Sequence, residues 1–500
     1  MPLTGVASVV AFSVIIAYIV ICLSLGWLGK KSTKDLKDFT IAGMKIGGLL
    51  IGLSWFATSC SASSYIGWSG LGWSYGTVTF WAQGIGSFWG WALGFFLVGT
   101  LAAKFTKKLG SLTYIDLLCD RYQSQAALRA YLSILFIIGM TVMLVAQLKG
   151  AGLVFEAITG FPYWAGCAIA FIIVAIYMTI GGKFADIYTD TLQGFMMLAI
   201  AVVGVGYGLA VLGGWEGFRA HLMAADPKLW NLYMPPKFPP EVLYVWPLFF
   251  MVSSAAAIYA VPNIMTAKSA REAKKGIIYA WIAFLIATPL TGLFGCIARA
   301  MGVTPRTPDL AFIEFIIRSF PPVIVGAFLA AIFAAVMSTV DGIALAAGTC
   351  GGNDFYRKFW VPVIKKGDPN DPVVQRNATR IIQIIMWASL ALAFYWAAIA
   401  PPLYLSWLLF TAFGMMAAAL FAPFVLGLYF KFPTKMGAIA SSVCGLGFYL
   451  GWFAYSKLTG APFHFAYVLP ITACIAAIIL VIVSKFTKPL PKEFLDELFA

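Results

Sequence analysis

Between Phe56 and Gly76 the chain reads FATSCSASSYIGWSGLGWSYG, an apolar run long enough to cross a bilayer yet loaded with serine hydroxyls and glycines. Hydrocarbon offers a backbone no water, so a helix loosened by such residues must give its freed carbonyl and N–H groups to protein, ion or solute. The chemistry on offer is neutral oxygen coordination, suited to a small hard cation or to the polar groups of a solute. A second interrupted run carries Ser253, Ser254 and Pro262 within SSAAAIYAVPN. Isolated carboxylates add charge. An ionised carboxylate at the bilayer centre costs about 2.5–3.5 kcal/mol on insertion scales, so one kept inside a span faces a cavity and serves ions or protons. Asp190 is the stronger candidate for such a role and Asp341, two residues past Thr339, the weaker, while Asp186 reads as a solvated residue just outside the membrane. Eight scattered cysteines and two histidines, His221 and His464, form no metal or disulfide pattern. No GxxxxGK[ST] phosphate loop is present, and no residue set points to covalent catalysis, so the chain is not read as an enzyme.

Positioning these groups requires a membrane. The chain has 500 residues, of which 61% are hydrophobic and 11% charged, against about 25% charged in soluble domains. Apolar runs of about 20 residues, the length that spans hydrocarbon, predict thirteen spans near 6–28, 47–75, 78–102, 125–148, 163–181, 187–213, 243–264, 276–302, 322–350, 378–398, 402–430, 437–455 and 465–485. The whole chain is then one all-α integral membrane domain. The two interrupted runs fall in spans 2 and 7, and interrupted segments at corresponding positions are the mark of inverted repeats. The expected division is a leading helix (6–28), a first repeat (47–213), a second repeat of opposite orientation (243–430) and two additional helices (437–485). Lysines and arginines set the orientation. With the N-terminus outside and the C-terminus cytoplasmic, the loops holding Lys30, Lys31, Lys34 and Lys37, Lys104, Lys107 and Lys108, Lys268, Arg271, Lys274 and Lys275, and Arg357 to Arg380 all lie inside. Arg357 and Lys358 are read there as loop anchors. The net charge of +14 reports this topology and contact with anionic membrane lipid, and nucleic acid is excluded as a partner.

Three stretches resemble a known family: SASSYIG at 61–67, GGKFADIYTDTLQGFMM at 181–197 and AAVMSTVDGIALAAGTCGGNDFYRKF at 334–359 are similar to signature regions of the sodium:solute symporter family. Its members carry sugars, proline, pantothenate, monocarboxylates and sialic acid, and the similarity runs in the same order over nearly the whole chain. The resemblance implies the LeuT-type fold, five plus five helices in inverted repeat with two broken helices, which the span count reaches separately. It also implies a sodium ion between spans 2 and 9, held by the main-chain carbonyls of Ala57, Cys60 and Ala335 and the hydroxyls of Ser338 and Thr339. Oxygen ligands suit a small hard cation, and a spacing of three places Ala57 with Cys60, and Ala335 with Ser338, on one helix face. Asp190 stands at the aspartate of the family's TDxxQ pattern, which implies that it draws sodium along its cytoplasmic route or holds a second ion.

The solute is expected near the midplane between spans 2 and 7, reached also by spans 3 and 11. Where the sugar-carrying branch has a glutamine, a glutamate, an asparagine and a gating tyrosine, this chain has Ser64, Gln83, Phe250 and Ser253, which argues against sugar. A floor of Ser63, Ser64, Ser253 and Ser254 with walls of Trp68, Trp81, Phe250 and Tyr259 suits a small organic anion, whose oxygens take hydroxyls and the free amides of a half-helix. SASSYIG, GWSYG and LLCDRYQS at 117–124 look most like the pantothenate and monocarboxylate branches. The expected function is therefore Na⁺-coupled import of a monocarboxylate or pantothenate-like anion by alternating access at the plasma or inner membrane. The alternatives are symport of proline, another amino acid or a sugar, coupling to H⁺, and a membrane sensor built on a symporter body.

Overall fold

The computed structural model describes residues 6–61, 63–232, 242–399, 405–461 and 464–500. The described residues are almost entirely helical: α1 (Val6–Ser32), α2 (Leu36–Ile41), α3 (Gly48–Ser59), α4 (Trp68–Tyr75), α5 (Val78–Ile85), α6 (Ala92–Leu109), α7 (Tyr114–Arg121), α8 (Ala127–Thr159), α9 (Tyr163–Val211), α10 (Gly214–Ala225), α11 (Val242–Ala255), α12 (Val261–Met265), α13 (Ala270–Ala300), α14 (Ala311–Ser319), α15 (Pro322–Thr349), α16 (Pro372–Ile399), α17 (Leu405–Tyr429), α18 (Lys435–Thr459), α19 (Phe465–Lys485) and α20 (Lys492–Phe499). Short π-helical stretches lead into α4, join α5 to α6 and extend α15 to Ile364.

Among the described residues ten helices are long and apolar enough to cross a bilayer, and α3 with α4, bent by 57°, makes an eleventh. The 49 residues of α9 would extend about 73 Å at 1.5 Å per residue, more than twice the hydrocarbon thickness. It breaks at Gly182, whose φ of +53° and ψ of −138° suit a residue without a side chain. The thirteen spans expected from sequence would further require α9 to make two passes and α11 with α12 to make one. The expected boundary between spans 5 and 6, 181 to 187, falls on this break.

The centre of the bundle is α15. In the helix that runs through it, 83% of the most apolar stretch is buried inside the protein, against 28% for α1. Around α15 lie α1, α3, α8 and α9, while α13 lines the length of α3 and α4. Lipid tails give helices no hydrophobic reason to associate, so close approach of backbones must supply the packing. A Cβ on Gly72 would lie 2.0 Å from the Gly292 carbonyl oxygen, and one on Gly295 would lie 1.8 Å from that of Ser69, so α4 and α13 meet backbone to backbone. A parallel bridge joins Ile46, just before α3, to the chain just after α12: Ile46 N donates to Thr266 O and Lys268 N to Ile46 O, each at 3.1 Å. The chain entering the first interrupted helix is thereby tied to the chain leaving the second.

Candidate ion and solute site

The serines of the first interrupted run make its break. Cys60 leaves helical geometry at φ −94° and ψ 86°, and Ser61 Oγ takes up local partners, Ser63 Oγ at 2.8 Å and Ser63 N at 3.2 Å. Serine competing with the backbone in this way is why it unsettles helices. The last carbonyls of α3 are left without helical N–H partners. The second break runs from Ala256 to Ala260, where turns replace the helix between α11 and α12.

Side chains of α15 reach the first break. Ser338 Oγ donates to Ala57 O at 2.9 Å and Thr339 Oγ1 to Thr58 O at 2.9 Å, and both hydroxyls lie 3.4 Å from Ala335 O. Carbonyls of two helices and two hydroxyls converge at one buried point. Each hydroxyl proton can rotate away and leave lone pairs facing a hard cation. Of the five expected ligands, Ala57, Ala335, Ser338 and Thr339 are joined by these contacts. Thr339 reaches the carbonyl of Thr58, a residue the sequence reading missed, and Cys60 contributes a buried residue at the break itself. Gly342 permits the approach: a Cβ there would lie 2.6 Å from Thr58 Cγ2 and 3.4 Å from Tyr259 O, so α15 touches both breaks at this point.

One layer away, Asp190 Oδ2 accepts from Ser54 Oγ at 2.8 Å and Thr58 Oγ1 at 2.7 Å, while its Oδ1 has no partner among the described residues. Asn263 of α12 donates to the same two hydroxyls at 3.0 and 2.9 Å, and its Oδ1 accepts from Lys183 Nζ. Asp186 does not sit in solvent as expected. It is fully buried, with Lys183, three residues earlier on the same helix, paired to its Oδ2. Asp341 also faces protein, accepting from Tyr177 OH at 2.6 Å and Gly342 N at 2.7 Å. One oxygen from each of Asp186, Asp190 and Asp341 lies within 4.8 Å of the others. Ser54, Thr58, Asn263 and Lys183 were missed in the sequence, although Ser54 and Thr58, four apart, share one face of α3.

Beside the ion site lies a small cavity, about 20 Å³, lined by Ser59, Ser61, Ser63, Ser64, Trp68, Gln83, Trp91, Phe250, Tyr259, Phe284, Thr288, Thr339, Leu409, Phe410 and Phe413. Thr339 belongs to both sites. Ser63, Ser64, Trp68, Gln83, Phe250 and Tyr259 line it together with residues of α17. Ser253 and Ser254 do not line it. Ser253 Oγ bonds back to Phe249 O at 2.7 Å, and Ser254 Oγ turns to Met251 O and packs on Gly94. Trp81, expected in the wall, is 46% exposed on the outer surface, and Trp91, ten residues further on, takes the inner place, stacked on Phe284 at 4.7 Å. Two polar atoms of the lining residues, Ser59 Oγ and Gln83 Oε1, are buried without a partner in the protein.

A model of the sodium:solute symporter family matches residues 39–445 of this chain. A sodium/pantothenate symporter of Escherichia coli (strain K12) is 28% identical over 447 residues, covering 86% of this chain and 88% of its own length. An osmoregulated proline transporter of Bacillus subtilis (strain 168) is 26% identical over 451 residues, 89% of each chain. Among solved structures, a Na⁺-coupled sialic acid symporter in a substrate-bound outward-open state superposes with a TM-score of 0.78 at 19% identity, over 97% of this chain and 99% of that one. The superposition gives the fold as LeuT-type, and with the family match over well more than half its length the chain belongs to the sodium:solute symporter family, whose members are Na⁺-coupled membrane carriers.

Proposed function

We propose that this protein imports a small carboxylate-bearing solute with Na⁺, most closely a monocarboxylate or pantothenate-like organic anion, across the plasma membrane. The observation that carries the reading is the cavity itself. It offers serine hydroxyls that can donate to a carboxylate, a Gln83 Oε1 that accepts from an N–H or O–H elsewhere on the solute, and aromatic walls, and it shares Thr339 with the oxygen cluster at the α3 break. Carbonyls of Ala57, Cys60 and Ala335 with Ser338 and Thr339 hold the ion in this reading, and solute and ion stabilise each other through Thr339. The repeats run 47–213 and 243–430, with the N-terminus outside, so that the lysine-rich loops face the cytoplasm. The names of the relatives favour pantothenate and, as a second reading, proline. The test is thermal stabilisation of the purified protein by carboxylates, amino acids and sugars, each with NaCl and with choline chloride. A ligand at 100 times its Kd adds about 2.7 kcal/mol, and carboxylates should do so only with sodium; stabilisation by sugars alone would refute the reading.

Asp190 enters through energetics. Moving one charge through 100 mV is worth about 2.3 kcal/mol, but one Na⁺ carried with a monovalent anion moves no net charge. Steep accumulation of an anion then needs a second Na⁺, for which the Oδ1 of Asp190, unpartnered among the described residues, offers an oxygen. Asp190→Asn is expected to abolish solute-evoked current while one-to-one uptake persists. A current of wild-type size in the variant would remove Asp190 from coupling.

A further inference from the structure

Tyr259 stands in the wall of two cavities. One is the solute cavity; the other, also small at about 20 Å³, is lined by residues that include Thr113, Lys183, Pro262, Gly342 and Asp354. It extends from the second break toward the start of α7, the end of the bundle that carries the lysine-rich loops. Lys183, only 1% exposed, is the buried cation of this wall. An ammonium has three N–H donors. Lys183 gives one to Asp186 Oδ2 and one to Asn263 Oδ1, and among the described residues nothing accepts the third. A buried charged donor left without an acceptor is costly, and a carboxylate is the partner that suits it best. Asp354, across the same cavity, is already engaged by Thr113 Oγ1 at 2.7 and 2.9 Å and Asn353 Nδ2 at 2.9 Å, with Arg129 3.7 Å away.

We propose that this inner cavity is a transit site for the solute's carboxylate, with the third N–H of Lys183 as its anchor and the Tyr259 ring as the partition from the central cavity. The inference rests on the carboxylate reading of the solute. Lys183 also holds Asn263, and Asn263 holds Ser54 and Thr58, so one hydrogen-bond chain joins α12 to α3. A carboxylate on the third N–H of Lys183 joins that chain from the α12 side without displacing Asn263.

The experiment compares Na⁺-dependent equilibrium binding with solute exchange across proteoliposomes, using pantothenate, proline and panthenol, which is pantothenate's counterpart with an alcohol in place of the carboxylate. Because Lys183→Gln alone strands Asp186 in the interior, the informative variant is the charge-neutral pair Lys183→Gln with Asp186→Asn. It should keep central binding of the preferred carboxylate within about twofold and slow its exchange at least tenfold, and Lys183→Arg should restore most of the exchange. Exchange at the wild-type rate in the double variant, with carboxylate preference intact, overturns the transit site alone. A parallel loss of binding and exchange overturns it too, by making Lys183 structural. Wild-type protein that binds panthenol as tightly as pantothenate overturns the carboxylate reading and the transit site together.

Discussion

Thr339→Ala is expected to raise the sodium concentration for half-maximal uptake by about 10- to 150-fold. Interactions of a hydroxyl with a charged partner are worth about 1.5–3 kcal/mol, and each 1.4 kcal/mol is a factor of ten. The hydroxyl lost is the one that meets the Thr58 carbonyl at 2.9 Å and also lines the solute cavity, so solute affinity should fall in parallel at fixed sodium. Ser338→Ala should weaken sodium by a similar factor with less effect on the solute, because Ser338 is absent from the cavity lining. Thr339→Ser keeps the oxygen and should recover most of the affinity. Uptake measured over a range of NaCl concentrations separates these outcomes. A Thr339→Ala protein with unchanged sodium dependence would show that the oxygens at the α3 break serve packing only.

The largest expected effect on stability lies at Arg129. Its side chain is fully buried where α8 begins, with Asp116 at 2.7 Å, Asp120 at 2.8 Å and Asp354 at 3.7 Å. Lys358 adds a second cation 3.7 Å from Asp116 and 4.0 Å from Asp120. Burial pushes the Asp116 carboxyl up, but Arg129 and Lys358 outweigh it and hold the group below the usual carboxylate range. Asp120 is driven the other way, by burial and by the charge of Asp116. Removing one member of a buried ion pair costs about 3–5 kcal/mol because the partners stay behind uncompensated. Arg129→Met should therefore lower the thermal midpoint of the purified protein by several degrees and reduce its yield. Adding Asp116→Asn and Asp120→Asn should recover part of the loss, since the stranded charges go with them. A midpoint unchanged in Arg129→Met would mean that the cluster contributes nothing net. Arg357 belongs to the same region: it is buried and bonded to Asn353 and, in the loop that follows, to Asn370 and the Pro369 carbonyl.

The features legible in the sequence were those that break a rule of membrane helices. Serines and glycines crowded into an apolar run exposed the α3–α4 break, and Ser338 with Thr339 followed from the motif that carries them. Helix phase was not legible. In a membrane protein both the lipid face and the core face are apolar, so periodicity does not say which way a residue points. Trp81 and Trp91 lie in one apolar stretch, yet the first is on the surface and the second in the solute cavity. Ser253 and Ser254 sit just before a break, and a turn resets the rotation of whatever follows it, so their neighbours across the break could not fix their direction. Asp186 carried a usable sign that was passed over. A lysine three residues before an aspartate on one helix is a ready ion pair, and such a pair can be buried where a lone carboxylate would remain in water.

Reciprocity at Thr339 gives the most direct check on sodium and solute sharing one site. Two ligands that stabilise each other must do so by the same factor in both directions. Equilibrium binding to the purified protein should show sodium tightening the solute, and saturating solute tightening sodium, by equal factors, with both factors collapsing toward one in Thr339→Ala. Solute binding with the same Kd in NaCl and in choline chloride would contradict the account.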